Sequence, residues 1–466
     1  MRVITAVLSL LVGLPVVHSF DIPFTSYDDD FIDPKYVLAK SFNTNTSVSQ
    51  QSIVQWADFL NAQGGAPWSV TTSKPFPAPS GDIHDYLSWS PYWWPNCTGV
   101  GNKTELTPQQ IWTTCPYSPR DGLFNPDLST IANNVAFYNM TDAILYNSLA
   151  WVINGSSTYS SNIATYIKTW FLDSDTKMNP NLNYAQVQRG PGKQLGTHTG
   201  VLDFKCMAKL VNAILILRQG KSPEWTSDID TQLVAWVNTY LQWLETASIA
   251  LQEAAATNNH GSYYYAQLAS LKILVNDTAG AQTSLKKYFS TLYKNQISAN
   301  GEQPLEAART RPYHYRAYNL AAMITNARLA EYTGFSAWNL TTANGSTIKT
   351  ALDYTMTVPP ESDGASEILY SVGAVASVYG DPQGTYAAFL NKSEPFYPAE
   401  PWFFWDQPLS DSGWVRANAA NSTGGGPGAT SKPKSNSSAV RSSGHGWSAT
   451  TLLTGFAGWI VFSLVI

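Results

Sequence analysis

The sequence predicts an all-α fold, an incomplete (α/α) toroid of helical hairpins with long cleft-lining loops. Apolar residues recur at helical spacing in several segments. The connecting segments are long and rich in Gly, Pro and Asn, and alternating strand patterns are scarce before residue 360. Amphipathic helices must bury their apolar stripes against one another, and a ring of hairpins does so while leaving long loops at one end. A helical solenoid is the alternative, but the sequence has no fixed repeat period.

The helical pattern is clearest between residues 229 and 244, where the apolar positions share one face of a 3.6-residue period. These positions are Ile229, Leu233, Trp236, Val237, Tyr240, Leu241 and Leu244. Further helical patterns cover residues 52–60, 131–151, 163–171, 268–275 and 318–329. The predicted long loops are residues 68–81, 92–126, 178–200 and 299–312. Residues 395–415 are too aromatic for a linker, so we expect them to pack back on the toroid.

The N-terminus is typical of a secretory signal peptide. Arg2 is followed by an apolar stretch over residues 3–17, with small residues around a cleavage point after Ser19. We therefore expect residues 1–19 to be removed and residues 20–420 to form a single toroid domain of a secreted protein.

The C-terminus is typical of a glycosylphosphatidylinositol (GPI) signal. Residues 421–448 are rich in Ser, Gly and Pro, which predicts a flexible stalk that includes the attachment region. Residues 449–466 form an apolar tail with no charge after it, and Asn436 is the expected attachment site. The alternative is an ordinary membrane span, for which the tail is barely long enough. We expect anchorage at the outer face of the plasma membrane or the cell wall.

In an exported protein, Asn-x-Ser/Thr motifs can be glycosylated, and we expect the modified asparagines to lie at the surface. Eleven Asn-x-Ser/Thr motifs are present. They begin at Asn45, Asn96, Asn102, Asn139, Asn154, Asn276, Asn339, Asn344, Asn391, Asn421 and Asn436.

Three cysteines are present. Cys97 and Cys115 lie close together in a loop segment, and in an oxidising compartment we expect them to pair. Cys206 lies in the segment Val201-Leu202-Asp203-Phe204-Lys205-Cys206-Met207 and is expected to be a buried free thiol. No Cys/His spacing is typical of a zinc site, and we expect neither a metal nor a cofactor.

Composition restricts the class of ligand. The net charge is −5 and charged residues make up 13% of the chain, which excludes a polybasic nucleic-acid binder. Aromatic residues also reach 13%, which fits either a large core or a cleft whose flat rings stack on sugars. We expect a monomer.

Two segments that follow helices concentrate side chains suited to chemistry on a sugar acid. The first is Asn258-Asn259-His260-Gly261, and the second is residues 300–315, with Arg309 and a nearby tyrosine. β-Elimination beside a carboxylate needs groups that neutralise it, a base and an acid. Amides, His and Arg suit the first task, and Tyr suits the last. The alternatives are a helix cap with a structural His and a solvated charged turn, in which Glu306 is spaced to pair with Arg309.

These motifs resemble the alginate lyase superfamily. The resemblance spans roughly residues 85–335, and the pair Asn-Asn-His and Glu-x-x-Arg-Thr is its most specific part. It is also carried by Trp170-Phe171, by residues 178–186 and by Tyr92-Trp93-Trp94-Pro95. Helical members are α/α toroids that act on alginate or glucuronan. The resemblance therefore implies a polysaccharide lyase with an acidic polysaccharide as substrate.

The resemblance also implies roles by position. Asn259, His260 and Arg309 would neutralise the carboxylate, and Tyr315 would be the catalytic acid and also the base. The interval from Arg309 to Tyr315 is slightly shorter than in typical alginate lyases, so Tyr313 is the alternative. Members that cut mannuronate remove the proton and the leaving group from one face of the sugar. β-Glucuronate has the same relation between those bonds, so one Tyr can serve both steps.

A Gly-rich loop over residues 188–200 lacks the preceding strand and the Gly-Lys-Ser/Thr ending of a phosphate-binding loop. We interpret it as a subsite loop, with a purely structural loop as the alternative. Gln188, His198 and Asn258 are candidate substrate ligands, and His198 is also a candidate base. The candidate stacking platforms are Trp93, Trp94 and Tyr184.

Two other functions remain open from the sequence. An α/α-toroid glycoside hydrolase would need two carboxylates at the scissile bond. The only acidic run, residues 28–30, lies near the expected mature N-terminus rather than between helices. A surface lectin that lost turnover would not need the combination of Asn259, His260, Arg309 and a tyrosine.

Overall fold

The structure, a computed structural model, describes residues 27, 30–40, 42, 46–101, 105–192 and 195–406. The expected signal peptide, stalk, lipid-anchor tail and Asn436 lie outside these residues, as do Asn45, Asn102 and Asn421. In the described part of the chain, no helix is both long and apolar enough to cross a membrane.

The described residues form sixteen α-helices and two short strands. The first half of the chain contains α1 (Pro34–Leu38), α2 (Ser47–Asn61), β1 (Trp93–Pro95), α3 (Pro108–Thr114), β2 (Tyr117–Pro119), α4 (Asn133–Asn154), α5 (Ser157–Ile167) and α6 (Met207–Gly220). The second half contains α7 (Ser227–Thr246), α8 (Ser248–Ala254), α9 (Asn259–Leu274), α10 (Thr278–Ser290), α11 (Pro304–Ala307), α12 (Pro312–Tyr332), α13 (Ile348–Thr355), α14 (Leu369–Tyr379), α15 (Thr385–Ser393) and α16 (Trp402–Trp405).

Four long helices form the inside of a ring. Consecutive members of the series α4, α6, α9 and α12 pack against each other. These helices are buried around most of their circumference, and in α12 every residue from Tyr313 to Ala330 is buried. A helix that is covered all round belongs in the interior of a large domain.

Amphipathic helices cover the outside of that ring. Helices α2 and α5 pack on α4, α7 and α10 pack on α9, and α13 packs on α12. The buried residues of α7 are the seven apolar positions predicted from the sequence between Ile229 and Leu244. The predicted α/α toroid is therefore confirmed, and one hydrophobic core extends from Tyr27 to Trp405.

The C-terminal aromatic segment packs on the toroid as expected as far as residue 406, because all four residues of α16 are buried. Residues 407–415 lie outside the described residues. Arg328 of α12 joins two segments that are far apart in the sequence. Its guanidinium contacts the carboxylate of Asp30 at 2.6 Å and that of Asp406 at 2.7 Å, and all three side chains are buried.

The two segments with the candidate catalytic residues, 258–261 and 300–315, were expected to be loops. The C-terminal part of each segment is instead the first turn of a helix. Asn259 and His260 begin α9, after Asn258 in the N-cap position. Helix α12 begins at Pro312, six residues before the predicted start. Proline is well suited to the first helical position because its missing N–H would have no partner there.

The predicted loop over residues 92–126 also contains regular structure. Strands β1 and β2 pair antiparallel, with Trp93 opposite Pro119. Helix α3 begins with a capping box formed by Thr107 and Gln110. The predicted disulfide between Cys97 and Cys115 is present and closes this arm, which is defined here as residues 92–125.

Seven of the expected glycosylation sites fall on described residues. Six of them are exposed: Asn96, Asn154, Asn276, Asn339, Asn344 and Asn391. Asn139 is half-buried within α4, so it is the least accessible of the seven.

Candidate active site

A cleft with an empty volume of about 580 Å³ opens between the arm and the first turns of α9 and α12. The arm and the segment before it contribute Ser90, Pro91, Tyr92 and Trp93. The remaining lining residues are Gln186, Gln188, Thr199, Leu202, Asn259, His260, Arg309, Tyr315 and Tyr318. The four residues expected to be catalytic, Asn259, His260, Arg309 and Tyr315, thus line one cleft.

The hydroxyl of Tyr315 lies in a short hydrogen-bonded chain. Arg309 donates from Nη2 to this hydroxyl at 2.8 Å, and its guanidinium carbon lies 3.8 Å from the centroid of the same ring. The hydroxyl of Tyr92 is 3.0 Å from that of Tyr315. Asp121, on the arm, accepts from the same Nη2 at 2.8 Å and holds the guanidinium in place.

Burial and charge give Tyr315 and Asp121 opposite protonation states. Burial raises the pKa of Tyr315 well above its ordinary value; Tyr92 raises it further and Arg309 lowers it. The phenol is therefore protonated at neutral pH. The hydrogen bond from Arg309 holds the pKa of Asp121 below its ordinary value, so this carboxylate is ionised.

Glu306 orients Asn259 rather than Arg309. The backbone N–H and the side-chain Nδ2 of Asn259 donate to the two oxygens of the Glu306 carboxylate, at 2.8 and 2.6 Å. The ion pair between Glu306 and Arg309 suggested by their spacing is not formed; Arg309 pairs with Asp121 instead. Burial raises the pKa of Glu306 although both hydrogen bonds from Asn259 lower it.

Glu253, at the end of α8, joins two histidines. Its carboxylate oxygens accept hydrogen bonds from Nδ1 of His198 and Nδ1 of His260, each at 2.6 Å. The ring centroids of the two histidines are 6.0 Å apart. Burial alone would raise the pKa of Glu253, but the charge of His260 and the hydrogen bonds of both imidazoles outweigh it and leave the pKa lowered. The hydrogen bond to Glu253 raises the pKa of His198.

The same three side chains are of the types that bind transition metals, and their potential ligand atoms lie within 4.8 Å of one another. Both carboxylate oxygens and both Nδ1 atoms are already used in the two hydrogen bonds. A metal bound through the two Nδ1 atoms would have to replace both of these bonds, so the arrangement fits a hydrogen-bonded triad better than a metal centre at that position.

Helix termini add to the electrostatics of the cleft. Asn259 and His260 occupy the first turn of α9, and Tyr315 occupies the first turn of α12. The N-terminus of a helix carries partial positive charge and unpaired N–H groups, which favour an anion. The cleft is therefore suited to a carboxylate.

Gln186 forms part of the cleft floor in an uncommon backbone conformation, with φ of 47°. Its amide donates to the buried carboxylate of Asp203 at 2.8 Å and accepts from the hydroxyl of Thr199 at 2.8 Å. Non-glycine residues in this region of backbone space occur often at functional sites, where neighbouring contacts maintain them.

The other candidate ligands are divided between the cleft and its surroundings. Trp93 and Gln188 line the cleft. His198 lies beside it, connected to His260 through Glu253. Asn258 is the N-cap residue of α9, and its carbonyl accepts from Gln296.

Three candidates lie away from the cleft lining. Trp94 donates from its indole to the carbonyl of Leu123, and Arg120 lies over its ring. Tyr184 packs against a small separate cluster that includes Trp89. Tyr313 is buried in the main core, so its neighbour two residues later is the phenol that faces the cleft.

Sequence reasoning did not single out Asp121 or Glu253. Asp121 is 188 residues from Arg309 and lies in an ordinary-looking turn, so no local pattern connects them. Glu253 precedes His260 by seven residues, a spacing with no motif. Tyr92 was noted only as part of an aromatic patch, and nothing in that patch indicated that its hydroxyl would lie beside that of Tyr315.

Comparison with known proteins gave two kinds of match. The sequence profile described as alginate lyase matches residues 69–362. The crystal structure of an alginate lyase from Bacteroides ovatus superposes with a TM-score of 0.70 and 25% identity, covering 80% of this chain and 96% of that one. Alginate lyase A1-III from Sphingomonas species A1 gives a TM-score of 0.45 and 13% identity, over 74% of this chain and 91% of that one. No curated protein matches the sequence.

Proposed function

Because this chain belongs to the alginate lyase family and is a polysaccharide lyase, we propose that it cleaves a polymer of uronic acid, alginate or glucuronan, by β-elimination in the cleft. The observation that carries the proposal is the convergence of an amide, an imidazole, a guanidinium and a phenol on one cavity. No single element of the fold supplies all four groups.

The substrate carboxylate binds at the first turn of α9. The side-chain amide of Asn259 and the imidazole of His260 bind its oxygens, and the helix terminus adds partial positive charge. Neutralising the carboxylate makes the proton on C5 of the sugar more acidic, because negative charge develops on that group when the proton leaves.

Tyr315 transfers the protons. In its phenolate form it removes the C5 proton; the electron pair of the C5–H bond forms the C4=C5 double bond, and the bond from C4 to the glycosidic oxygen breaks. The same phenol then donates a proton to the departing oxygen. Arg309, which donates to this hydroxyl, stabilises the phenolate, and Tyr92 lies at hydrogen-bond distance to exchange a proton with it.

We therefore propose for Arg309 a role that differs from the one that the resemblance implies. Its Nη2 is shared between Asp121 and the hydroxyl of Tyr315, so this nitrogen acts on the phenol rather than on the carboxylate. The carboxylate is left to the groups at the first turn of α9, which include Asn259 and His260.

The cleft argues against a glycoside hydrolase. Hydrolases of that kind need two carboxylates across the scissile bond. Among the described residues that line the cleft there is neither Asp nor Glu.

An assay with purified protein on a panel of alginate, polymannuronate and glucuronan tests the proposal. A lyase produces a C4=C5 double bond that absorbs in the ultraviolet, together with new reducing ends. New reducing ends without that absorbance would indicate hydrolysis, and binding without either product would indicate a lectin. Either result contradicts the proposal.

We also propose that the protein is secreted and held at the cell surface by a GPI anchor. The support comes from the sequence of both termini, from the disulfide in the arm and from the exposure of six glycosylation motifs. Phosphatidylinositol-specific phospholipase C should release the protein from intact cells. Retention after that treatment, with an intact apolar tail found by mass spectrometry, would favour a membrane span.

A further inference from the structure

Among the described residues, Glu253 is the one carboxylate that accepts hydrogen bonds from both His198 and His260. Its side chain is fully buried, whereas the side chains of His198 and His260 are 41% and 16% exposed. Within the described residues, no lysine or arginine forms an ion pair with it. A buried carboxylate needs charged or hydrogen-bonding partners, and here two imidazoles supply them.

The two short contacts fix the tautomer of each imidazole. An ionised carboxylate only accepts hydrogen bonds, so each Nδ1 must carry the proton that it donates to Glu253. The second nitrogen of each ring, Nε2, lies on the opposite edge, away from Glu253. Nε2 is therefore the atom that gains or loses a proton, and it becomes a donor when the ring is an imidazolium.

We propose that Glu253 is a positioning residue that makes His198 and His260 a two-imidazole clamp for one carboxylate group of the polymer. The inference rests on the proposed function, because it takes a uronate carboxylate as the ligand. Glu253 lies behind the rings and the sugar carboxylate lies in front of them. Each imidazole donates from Nδ1 to the protein and from Nε2 to the substrate.

Charge balance supports this arrangement. In the empty cleft, one negative charge on Glu253 is shared by two rings. The substrate carboxylate brings a second negative charge, which two imidazolium rings neutralise. Substrate binding should therefore be coupled to proton uptake by the pair. The other titratable groups of this region are Tyr92, Arg309, Tyr315 and Tyr318 in the cleft lining and Glu306 behind Asn259. All five are unchanged in Glu253→Gln.

The decisive variant is Glu253→Gln. A Gln side chain has one acceptor oxygen and one donor amide, so it can accept an Nδ1–H from only one ring and must donate to Nδ1 of the other. Imidazole nitrogen NMR should show Nδ1–H on both rings in the wild type and on at most one in the variant. Histidines in the wild type that carry their proton on Nε2 at neutral pH would overturn the proposal, even if the variant fails to fold.

Kinetics on a uronan that the wild type cleaves provides the second test. In Glu253→Gln, kcat/KM should fall by roughly 100-fold, the effect of a misplaced binding group. The alkaline limb of its pH profile should move to lower pH, because the hydrogen bond to the ionised carboxylate and its charge, which raise the pKa of His198, are gone. Glu245→Gln, which removes the same charge from a half-exposed pair with Lys272, should leave both unchanged.

A double-mutant cycle separates positioning from general stability. If Glu253 acts through the two rings, Glu253→Gln should cost nothing further in a protein that already carries His198→Ala and His260→Ala. A full additional loss in that background would show a structural role and overturn the proposal. Activity that is lost with a chelator and restored by Zn²⁺ would also overturn it, since Glu253 would then be a metal ligand. If no uronan is cleaved, the proposed function fails while the NMR result still decides the tautomers.

Discussion

Arg309 contacts Tyr315 in two ways at once: it donates to the hydroxyl at 2.8 Å and covers the ring with its guanidinium carbon 3.8 Å from the centroid. Both contacts favour the phenolate over the phenol. They oppose the burial that raises the pKa of this tyrosine. The tyrosine is therefore a phenol at rest that a fixed cation helps to ionise, which is the property needed of one group that acts as both base and acid.

Tyr315→Phe should lower kcat by at least about 100-fold, the usual contribution of a general acid–base group. The ring is retained, so the core around α12 should survive and the melting temperature should change little. Initial rates of ultraviolet absorbance on the preferred uronan measure the effect. Tyr313→Phe is the matched control and should be near wild type, because Tyr313 is buried away from the cleft. The reverse pattern would assign the chemistry to Tyr313.

Asp121→Asn should lower kcat by roughly tenfold while leaving KM nearly unchanged, because Asp121 acts on Arg309 rather than on the substrate. The pKa of Asp121 is lowered, so the ion pair persists as the pH falls below the ordinary aspartate value of 3.8. Asp228→Asn, an exposed change of the same kind on α7, is the control. A rise in KM alone would show that the arm binds substrate and does not position Arg309.

The sequence predicted the parts of this molecule that depend on local pattern. The seven buried positions of α7 follow from a 3.6-residue period, and Asn259, His260, Arg309 and Tyr315 stand in motifs that can be read locally. The carboxylates behind them could not be predicted in the same way. Asp121 contacts Arg309 only because the arm folds back across the cleft. Such pairings depend on tertiary structure, whereas periodicity and spacing predict only local structure.

Arg328→Met should destabilise the fold by about 3–5 kcal/mol, because it leaves the buried carboxylates of Asp30 and Asp406 without their cation. Urea denaturation measures the change. Adding Asp30→Asn and Asp406→Asn to Arg328→Met should recover much of the loss, since the uncompensated charges are then removed. Lys349→Met breaks a half-exposed pair with Asp353 and should cost no more than about 0.5 kcal/mol. Equal costs for the two single variants would contradict the buried-network interpretation.

The pH dependence of stability should distinguish Glu253 from its isosteric amide. The pKa of Glu253 is lowered from 4.5. Its contribution to the free energy of unfolding is therefore fully present above that pH and is lost as the pH falls through the folded-state pKa. The pKa of His198 is raised from 6.5, so its contribution is present below that value and is lost as the pH rises through the folded-state pKa.

Both contributions are complete between pH 4.5 and 6.5. The melting temperature of the wild type should therefore exceed that of Glu253→Gln by the largest margin near the middle of this window. That margin should decrease toward alkaline pH. His198 is 41% exposed, so solvent screening keeps the change small, and the comparison is made between pH values rather than as an absolute difference. A difference that grows steadily from acidic to alkaline pH would mean that His198 gains no proton affinity from Glu253. The shared carboxylate would then be only a packing feature.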